Sequence, residues 1–313
     1  FKASATRGSL FHALAAARAR HGGATTALID GEERKLTYDD ILRASFALGS
    51  ALTPGTRSGE CVGVMLPTGA ASTLAFFALT AFGRVPTMLN FTSGLAGLKS
   101  ALRTAKVKRV VTGRRLVDVA GLQDVVAGLP AEIIYLEDVR AGLTLRNKLA
   151  AVAGKLLPRL LAARPDPDKP ATILFTSGTE GEPKGVALSH ANILANVAQV
   201  RDRIAITSQD VMFNPLPVFH CFGLSVGTIL PLVAGVKMVC HPTPLQPREI
   251  VHRIRKHGIT ILLATDTFIA QYARAGEEGD LDTVRLAVCG AERVRAETRA
   301  FVKQKYHIQI LEG

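Results

Sequence analysis

With 313 residues, of which 48% are hydrophobic and 20% charged, the chain has the composition of a soluble globular protein, long enough for one large core or two fused α/β lobes. Its formal charge of +12 suits nucleic acid, an anionic membrane surface, or acidic small molecules and proteins. Nucleic acid fits least, because 5% aromatic content, no tryptophan and no zinc-ligand spacing leave few stacking platforms or finger motifs.

The N-terminus shows no charged-then-apolar leader pattern with a cleavage site. Residues 61–83 carry no Asp, Glu, Lys or Arg, but Pro67 and Gly69 interrupt them. They therefore read as a buried strand at 61–66 and a helix at 73–82 rather than a membrane span. Another strand is predicted at 109–112. Within 146–164, Leu149, Val152, Leu156 and Leu160 recur at helical spacing beside Lys148, Lys155 and Arg159. This is a basic amphipathic helix that Pro158 would bend. Its stripe has an ordinary reading, a helix packed on the protein's own core or a linker before the polar loop that follows, and a sharper one, a face laid on an anionic bilayer. The prolines of 164–170 then mark the clearest boundary, dividing a first lobe, 1–165, from a second, 171–313.

The second half opens on a strand at 171–175, a polar loop at 176–185 and a short strand at 185–188. Ser189 caps a helix over 191–203 with Ile193, Val197 and Val200 on one face. A second uncharged run, 211–236, is broken by Pro215, Pro217, His220 and Pro231, again favouring buried strand-turn-helix units. Strands at 259–264, 284–289 and 308–311 and a helix at 267–274 follow. Such alternation predicts an α/β fold: two packed lobes of mainly parallel sheet with flanking helices. The four cysteines, Cys61, Cys221, Cys240 and Cys289, are widely spaced among apolar residues and read as reduced core thiols of a cytoplasmic chain.

The most informative stretch is Thr176-Ser177-Gly178-Thr179-Glu180-Gly181-Glu182-Pro183-Lys184-Gly185. Glycines let backbone N–H groups approach an anion, hydroxyls add donors, and Lys184 supplies a mobile positive charge. It is not a Walker loop, since Pro183 stands where that motif needs its second glycine. The bland alternative is a solvated hairpin loop rich in turn residues.

At these residues the chain resembles the adenylate-forming enzymes, the family of acyl-CoA synthetases, luciferases and peptide-synthetase adenylation domains. TSGTEGEPKG is similar to the family's phosphate loop. Residues 215–223 (PLPVFHCFG) resemble its second core motif, and Cys289-Gly290-Ala291-Glu292 resembles its adenine-contacting turn. The stretches VGVMLP, RVPTMLNFTSG, FHCFGLSVG and GAERV resemble, more narrowly, the acyl-acyl-carrier-protein synthetase half of bifunctional 2-acylglycerophosphoethanolamine acyltransferases. The chain begins at Phe1 and ends at Gly313, where the next family motif would open. The expectation is an incomplete adenylation domain, without the family's mobile C-terminal domain and catalytic lysine, and with little activity alone.

The resemblance implies ATP-dependent activation of a fatty acid to acyl-AMP, then transfer to a thiol of acyl carrier protein or CoA, with ATP and Mg²⁺ required. Thr176, Ser177, Gly178, Thr179, Glu180 and Gly181 would hold the phosphates, with Thr176 also on the metal, and Lys184 would neutralise departing pyrophosphate. Glu180 departs from the family's usual threonine. Gly290, Ala291 and Glu292 would lie along adenine. His220 would orient the reacting carboxylate, Gly223 and Gly227 would open an acyl channel, and Thr265 would line it. An anionic membrane surface remains a further partner, at the inner face. Two other classes are weighed: a serine hydrolase at Gly223-Leu224-Ser225-Val226-Gly227, with His257 or His307 and Asp266 as partners, and a non-catalytic nucleotide-binding module.

Overall fold

The computed structural model describes residues 6–176 and 183–313. Its strands are β1 (Thr26–Ile29), β2 (Lys35–Thr37), β3 (Cys61–Val64), β4 (Val85–Met88), β5 (Arg109–Thr112), β6 (Glu132–Tyr135), β7 (Pro170–Thr176), β8 (Lys184–Ser189), β9 (Val211–Asn214), β10 (Lys237–Cys240), β11 (Ile261–Ala264), β12 (Leu286–Cys289) and β13 (Gln309–Glu312). One sheet runs β13-β12-β11-β9-β10-β1-β2 and the other β6-β5-β3-β4-β7-β8. Only the end pairs β1–β2 and β7–β8 are antiparallel among the described ladders. The expected α/β class of mainly parallel sheet is therefore observed.

Side-chain alternation along these strands assigns the layers. Met212, Met238, Ile261 and Leu286 join Val62, Val64, Met88 and Leu174 in one core shared by both sheets. Helices Leu10–His21, Tyr38–Leu52, Ala70–Ala81 and His190–Arg203 contribute to it. The adjacent residues Phe213, Val239, Leu262 and Ala287 face the other way, into a second core with helices Pro247–His257, Asp266–Ala275 and Ala296–Tyr306. Met65 and Val110 do the same for the other sheet, under helix Gly94–Thr104. Helix starts follow local chemistry: Thr37 and Asp40 form a reciprocal capping box, as do Ser189 and Asn192.

The sheets do not follow the expected division of 1–165 from 171–313. β1 and β2 join the sheet of β9–β13, while β7 and β8 join that of β3–β6. The proline-rich 164–170 segment does interrupt regular structure, yet β7 returns beside β4, with Ile173 opposite Thr87. Thr172 Oγ1 also donates to the Pro86 carbonyl at 2.7 Å. Both uncharged runs become strand-turn-helix units, and no helix among the described residues is long and apolar enough to cross a membrane. Of the four free cysteines, Cys240 and Cys289 are buried and Cys61 is half-buried; Cys221 is exposed, against the core expectation.

Charged groups tie distant segments together. Asp210 accepts from Arg285 Nη2 at 2.9 Å, Thr260 Oγ1 at 2.7 Å and Thr207 N at 2.9 Å. Glu33 pairs with Lys256, His257 and Arg253. Burial alone would raise both carboxyl pKa values; hydrogen bonds from Arg285 at Asp210, and from His257 and Lys256 at Glu33, prevail and hold each at about 2. Their stabilisation is present above the unfolded-state carboxylate value of about 4 and is lost as pH falls towards 2. The urea midpoint is therefore expected to drop across that window. Asp210→Asn should lower stability at neutral pH and flatten this acid limb; an unchanged limb would refute the assignment.

Candidate active site

Three neighbouring strands, β12, β11 and β9, deliver their carboxyl ends to one edge of their sheet. Such edges of open parallel sheets are where ligands bind in α/β folds. Gly290 follows β12, Thr265 follows β11, and Asn214 ends β9 and begins the loop that carries His220. In the other sheet, β3 leads to Thr68, β4 to Phe91 and β7 to Thr176. The 215–221 loop bridges the two edges.

Two contacts build that bridge. Thr68 Oγ1 donates to the Leu216 carbonyl at 2.7 Å and accepts from Val218 N at 3.1 Å. Phe219 packs edge-on against Phe91, with centroids 5.3 Å apart, and His220 packs against Phe219 at 4.8 Å. Exposure of the His220 side leaves its ring reachable, while desolvation by its surroundings lowers its pKa. The ring is consequently neutral at neutral pH and offers one donor and one acceptor.

Asn214, fully buried, holds the next segment: its Nδ2 donates to the Gly223 carbonyl at 3.0 Å, and its Oδ1 accepts from Leu216 N at 3.1 Å. The chain then winds into a π-helix, Phe222–Ile229, a form concentrated at functional sites. A Cβ on Gly223 would lie 2.3 Å from the Pro217 carbonyl oxygen, and one on Gly227 would lie 2.3 Å from Asn214. These glycines therefore admit close packing of the π-helix against the Pro217 backbone and Asn214. Neither Thr68 nor Asn214 is marked out in the sequence: a single threonine or asparagine carries no periodic signal, and Asn214 is simply the one amide in an uncharged run.

Replacing Thr68 by valine would keep the shape but leave the buried Leu216 carbonyl and Val218 N–H without this partner. The expected loss is about 1–3 kcal/mol of stability. Turnover should fall more than the thermal midpoint alone explains, because the His220 loop loses its tether to the other sheet. Wild-type kinetics in a Thr68→Val protein would show that this tether does not position the loop.

Gly290 lies buried beneath Phe222, whose ring a Cβ at Gly290 would approach to 3.1 Å. Ala291 follows with φ 69°, a left-handed conformation that sharpens the turn. Glu292 Oε1 accepts from Thr267 N at 2.8 Å. That backbone donor, followed by Thr265, lowers the Glu292 pKa. The carboxylate thus braces the N-terminal turn of helix Asp266–Ala275. Thr265, half-buried, is the N-cap of that helix.

The loop expected to hold phosphates is represented at its two ends. Thr176 and Lys184 are cross-strand partners in the β7–β8 ladder, both exposed. They stand on either side of the loop mouth. Ser177, Gly178, Thr179, Glu180 and Gly181 lie outside the described residues. A hydroxyl and an ammonium at this mouth fit a polyphosphate chain. Among the described residues no group of three or more His, Cys, Asp or Glu side chains could hold a metal. The Thr176 hydroxyl fits Mg²⁺ only as such ions commonly bind, together with substrate phosphates.

The hydrolase constellation is not assembled. Ser225 is buried inside the π-helix rather than on a strand-to-helix turn. His257 pairs with Glu33 and Asp266 with Arg295, the latter at 2.6 Å. A cavity of about 490 Å³ lies elsewhere, near Arg114, Gln123 and Tyr135, and contains none of the expected site residues.

Carboxyl-edge turns from two sheets, joined by one histidine-bearing loop beside a polar hairpin, define the α/β domain and its candidate site. The model of the AMP-binding enzyme family matches residues 14–313, and the chain belongs to that family. It is 28% identical over 297 residues to 4-coumarate–CoA ligase 2 of Petroselinum crispum, covering 91% of this chain and 53% of that protein. It is 30% identical over 233 residues to the acyl-CoA ligase sidI of Beauveria bassiana, covering 70% and 40%. The chain thus spans about half the length of the curated relatives it matches. A crystal structure of the anthranilate CoA ligase AuaEII with anthranoyl-AMP superposes with a TM-score of 0.81 at 20% identity, covering 100% of this chain and 60% of that one. The N-terminal domain of FACL13 from Mycobacterium tuberculosis gives 0.80 at 18%, covering 98% and 75%. These structures establish the shared fold.

Proposed function

We propose that the protein joins a carboxylic acid to a thiol at the expense of ATP, through an acyl adenylate. The observation that carries this reading is the facing pair Thr176 and Lys184 at the mouth of the TSGTEGEPKG loop, in a chain of the AMP-binding enzyme family. In the first step a carboxylate oxygen bonds to the α-phosphorus of ATP while the bond to pyrophosphate breaks. Thr176 and the loop N–H groups bind the departing phosphates, and Lys184 neutralises the charge that builds on them. Mg²⁺ would accompany the phosphates at the Thr176 hydroxyl and supply further neutralisation. The backbone of Gly290, Ala291 and Glu292 receives adenine. In the second step the thiol gives its proton to solvent, its sulfur bonds to the acyl carbon, and the bond from that carbon to the AMP phosphate oxygen breaks.

His220 is assigned an orienting role: its neutral ring, held by Phe219, presents a hydrogen-bonding nitrogen without adding charge. The acid is proposed to be a fatty acid, and CoA is favoured as the acceptor because the relatives named above are CoA ligases. The test is acid-dependent ATP–pyrophosphate exchange by the whole protein with fatty acids and 4-coumarate in parallel, followed by CoA or acyl carrier protein. Exchange with fatty acids and thioester formation on CoA support the reading; transfer only to carrier protein changes the acceptor. ATP binding without exchange for any acid favours a nucleotide-binding module.

A further inference from the structure

The amphipathic segment ahead of the phosphate loop is arranged with its apolar stripe outward. Helix Leu145–Leu156 docks by its opposite side: Asn147, Ala151 and Gly154 are buried. Asn147 Nδ2 donates to Ser50 Oγ at 2.8 Å. A Cβ on Gly154 would lie 2.1 Å from the Phe46 ring, so that glycine lets the helix settle on helix Tyr38–Leu52. Two residues of offset are about 200° around a helix. Leu145, Leu149, Val152 and Leu156 consequently point away from the molecule, 54–73% exposed. The chain turns at Leu157 into the short helix Pro158–Leu161, where Leu157, Leu160 and Leu161 extend the apolar surface. Packing of this stripe on the protein's own core, the ordinary expectation, is not observed.

The rim is of one sign. No Asp or Glu occurs between Asp138 and Asp166, and Arg146, Lys148, Arg159 and Arg164 are all exposed. Lys155 alone is turned inward, 3.1 Å from Asp39, which Arg18 also binds at 2.8 Å. Folding therefore places a stripe of large aliphatic side chains, about 18 Å long on the main helix, between basic residues whose own chain offers no nearby counter-charge within the segment.

We propose that this face is a docking surface for an anionic lipid bilayer, a property that does not depend on the ligase reading. Aliphatic side chains enter the boundary between headgroups and acyl chains, while arginine and lysine reach outward to lipid phosphates. Charge selects against a second copy of the chain, since pairing two such faces would bring basic rims together. It selects for an anionic surface, and the continuous aliphatic stripe selects for lipid over a polar acidic protein.

The test is flotation of the whole protein with vesicles of phosphatidylcholine, alone or mixed with phosphatidylglycerol. Binding is expected to the mixed vesicles only and to weaken with salt. The double variant Leu149→Asp/Val152→Asp should lower partitioning by about tenfold or more. Lys148→Glu/Arg159→Glu should do so as well, since each cation near such a surface is worth about fivefold. Both variants alter exposed side chains and should keep the wild-type thermal midpoint. Unchanged flotation of both variants would overturn the proposal, as would equal, salt-independent flotation on neutral vesicles. Absence of flotation, with the same variants abolishing a dimer or protein complex, would also overturn it and give the stripe to a protein partner.

Discussion

Alanine at Lys184 is expected to lower acid-dependent ATP–pyrophosphate exchange by about 10²–10³-fold, the usual effect of removing one preorganised group from developing transition-state charge. Lys184 is the first residue of β8, exposed, and opposite Thr176. Strand pairing is made by backbone groups, so truncating the side chain should leave the thermal midpoint nearly unchanged. The fall should appear in turnover more than in the KM for ATP, because the charge to be neutralised grows as pyrophosphate departs. Arginine should restore only part of the rate, since its planar fork does not reproduce a compact ammonium. Undiminished exchange in Lys184→Ala would remove this residue from the chemistry and weaken the ligase reading itself.

The largest expected loss of stability is at Arg253. Its side chain is 1% exposed, yet its guanidinium is satisfied: Nη2 donates to the Asp30 carbonyl at 2.6 Å, Nη1 to the Cys240 carbonyl at 2.8 Å, and Nε to Glu33 at 3.1 Å. These bonds clamp the ends of β1 and β10 to helix Pro247–His257. Leucine there would strand two carbonyls and take one cation from Glu33. Breaking a buried pair by removing one partner typically costs about 3–5 kcal/mol. Glu33 is partly exposed and keeps Lys256 and His257, so the lower half of that range is expected, with the carbonyls carrying most of it. Urea unfolding of Arg253→Leu checks this; a midpoint within error of wild type would show that the clamp is replaceable by packing.

Where local pattern dictates structure, the elements could be read from sequence. The Ser189 cap and its helix, the strand at 109–112, and the two strands bracketing the polar loop appear within a residue or two of their predicted bounds. Sheet membership was not legible, because the apolar run of β1 is the same whether it pairs with a near strand or with β10. The site was partly legible. Glycine and hydroxyl clustering announces a loop built for anions, but Thr68, Asn214 and Phe91 act through contacts between segments far apart in sequence. Gly223 and Gly227 add a further case: nothing in an apolar run announces the close approach of backbone and Asn214 that these glycines admit. The 145–156 stripe had the spacing of a buried face, and only the placement of Gly154 against Phe46 reveals which side is turned inward.

The exchange of strands between the two sheets has a consequence for how the chain is made. Tyr38 donates to the Leu232 carbonyl across 194 residues, and Arg253 reaches the Asp30 carbonyl across 223. While the polypeptide is emerging from a ribosome, β1, β2 and the aliphatic side of the following helix have no β10 to lie against. At ordinary elongation rates that interval is on the order of ten seconds or more. Residues 26–52 must therefore keep that aliphatic surface unburied until β10 has been synthesised.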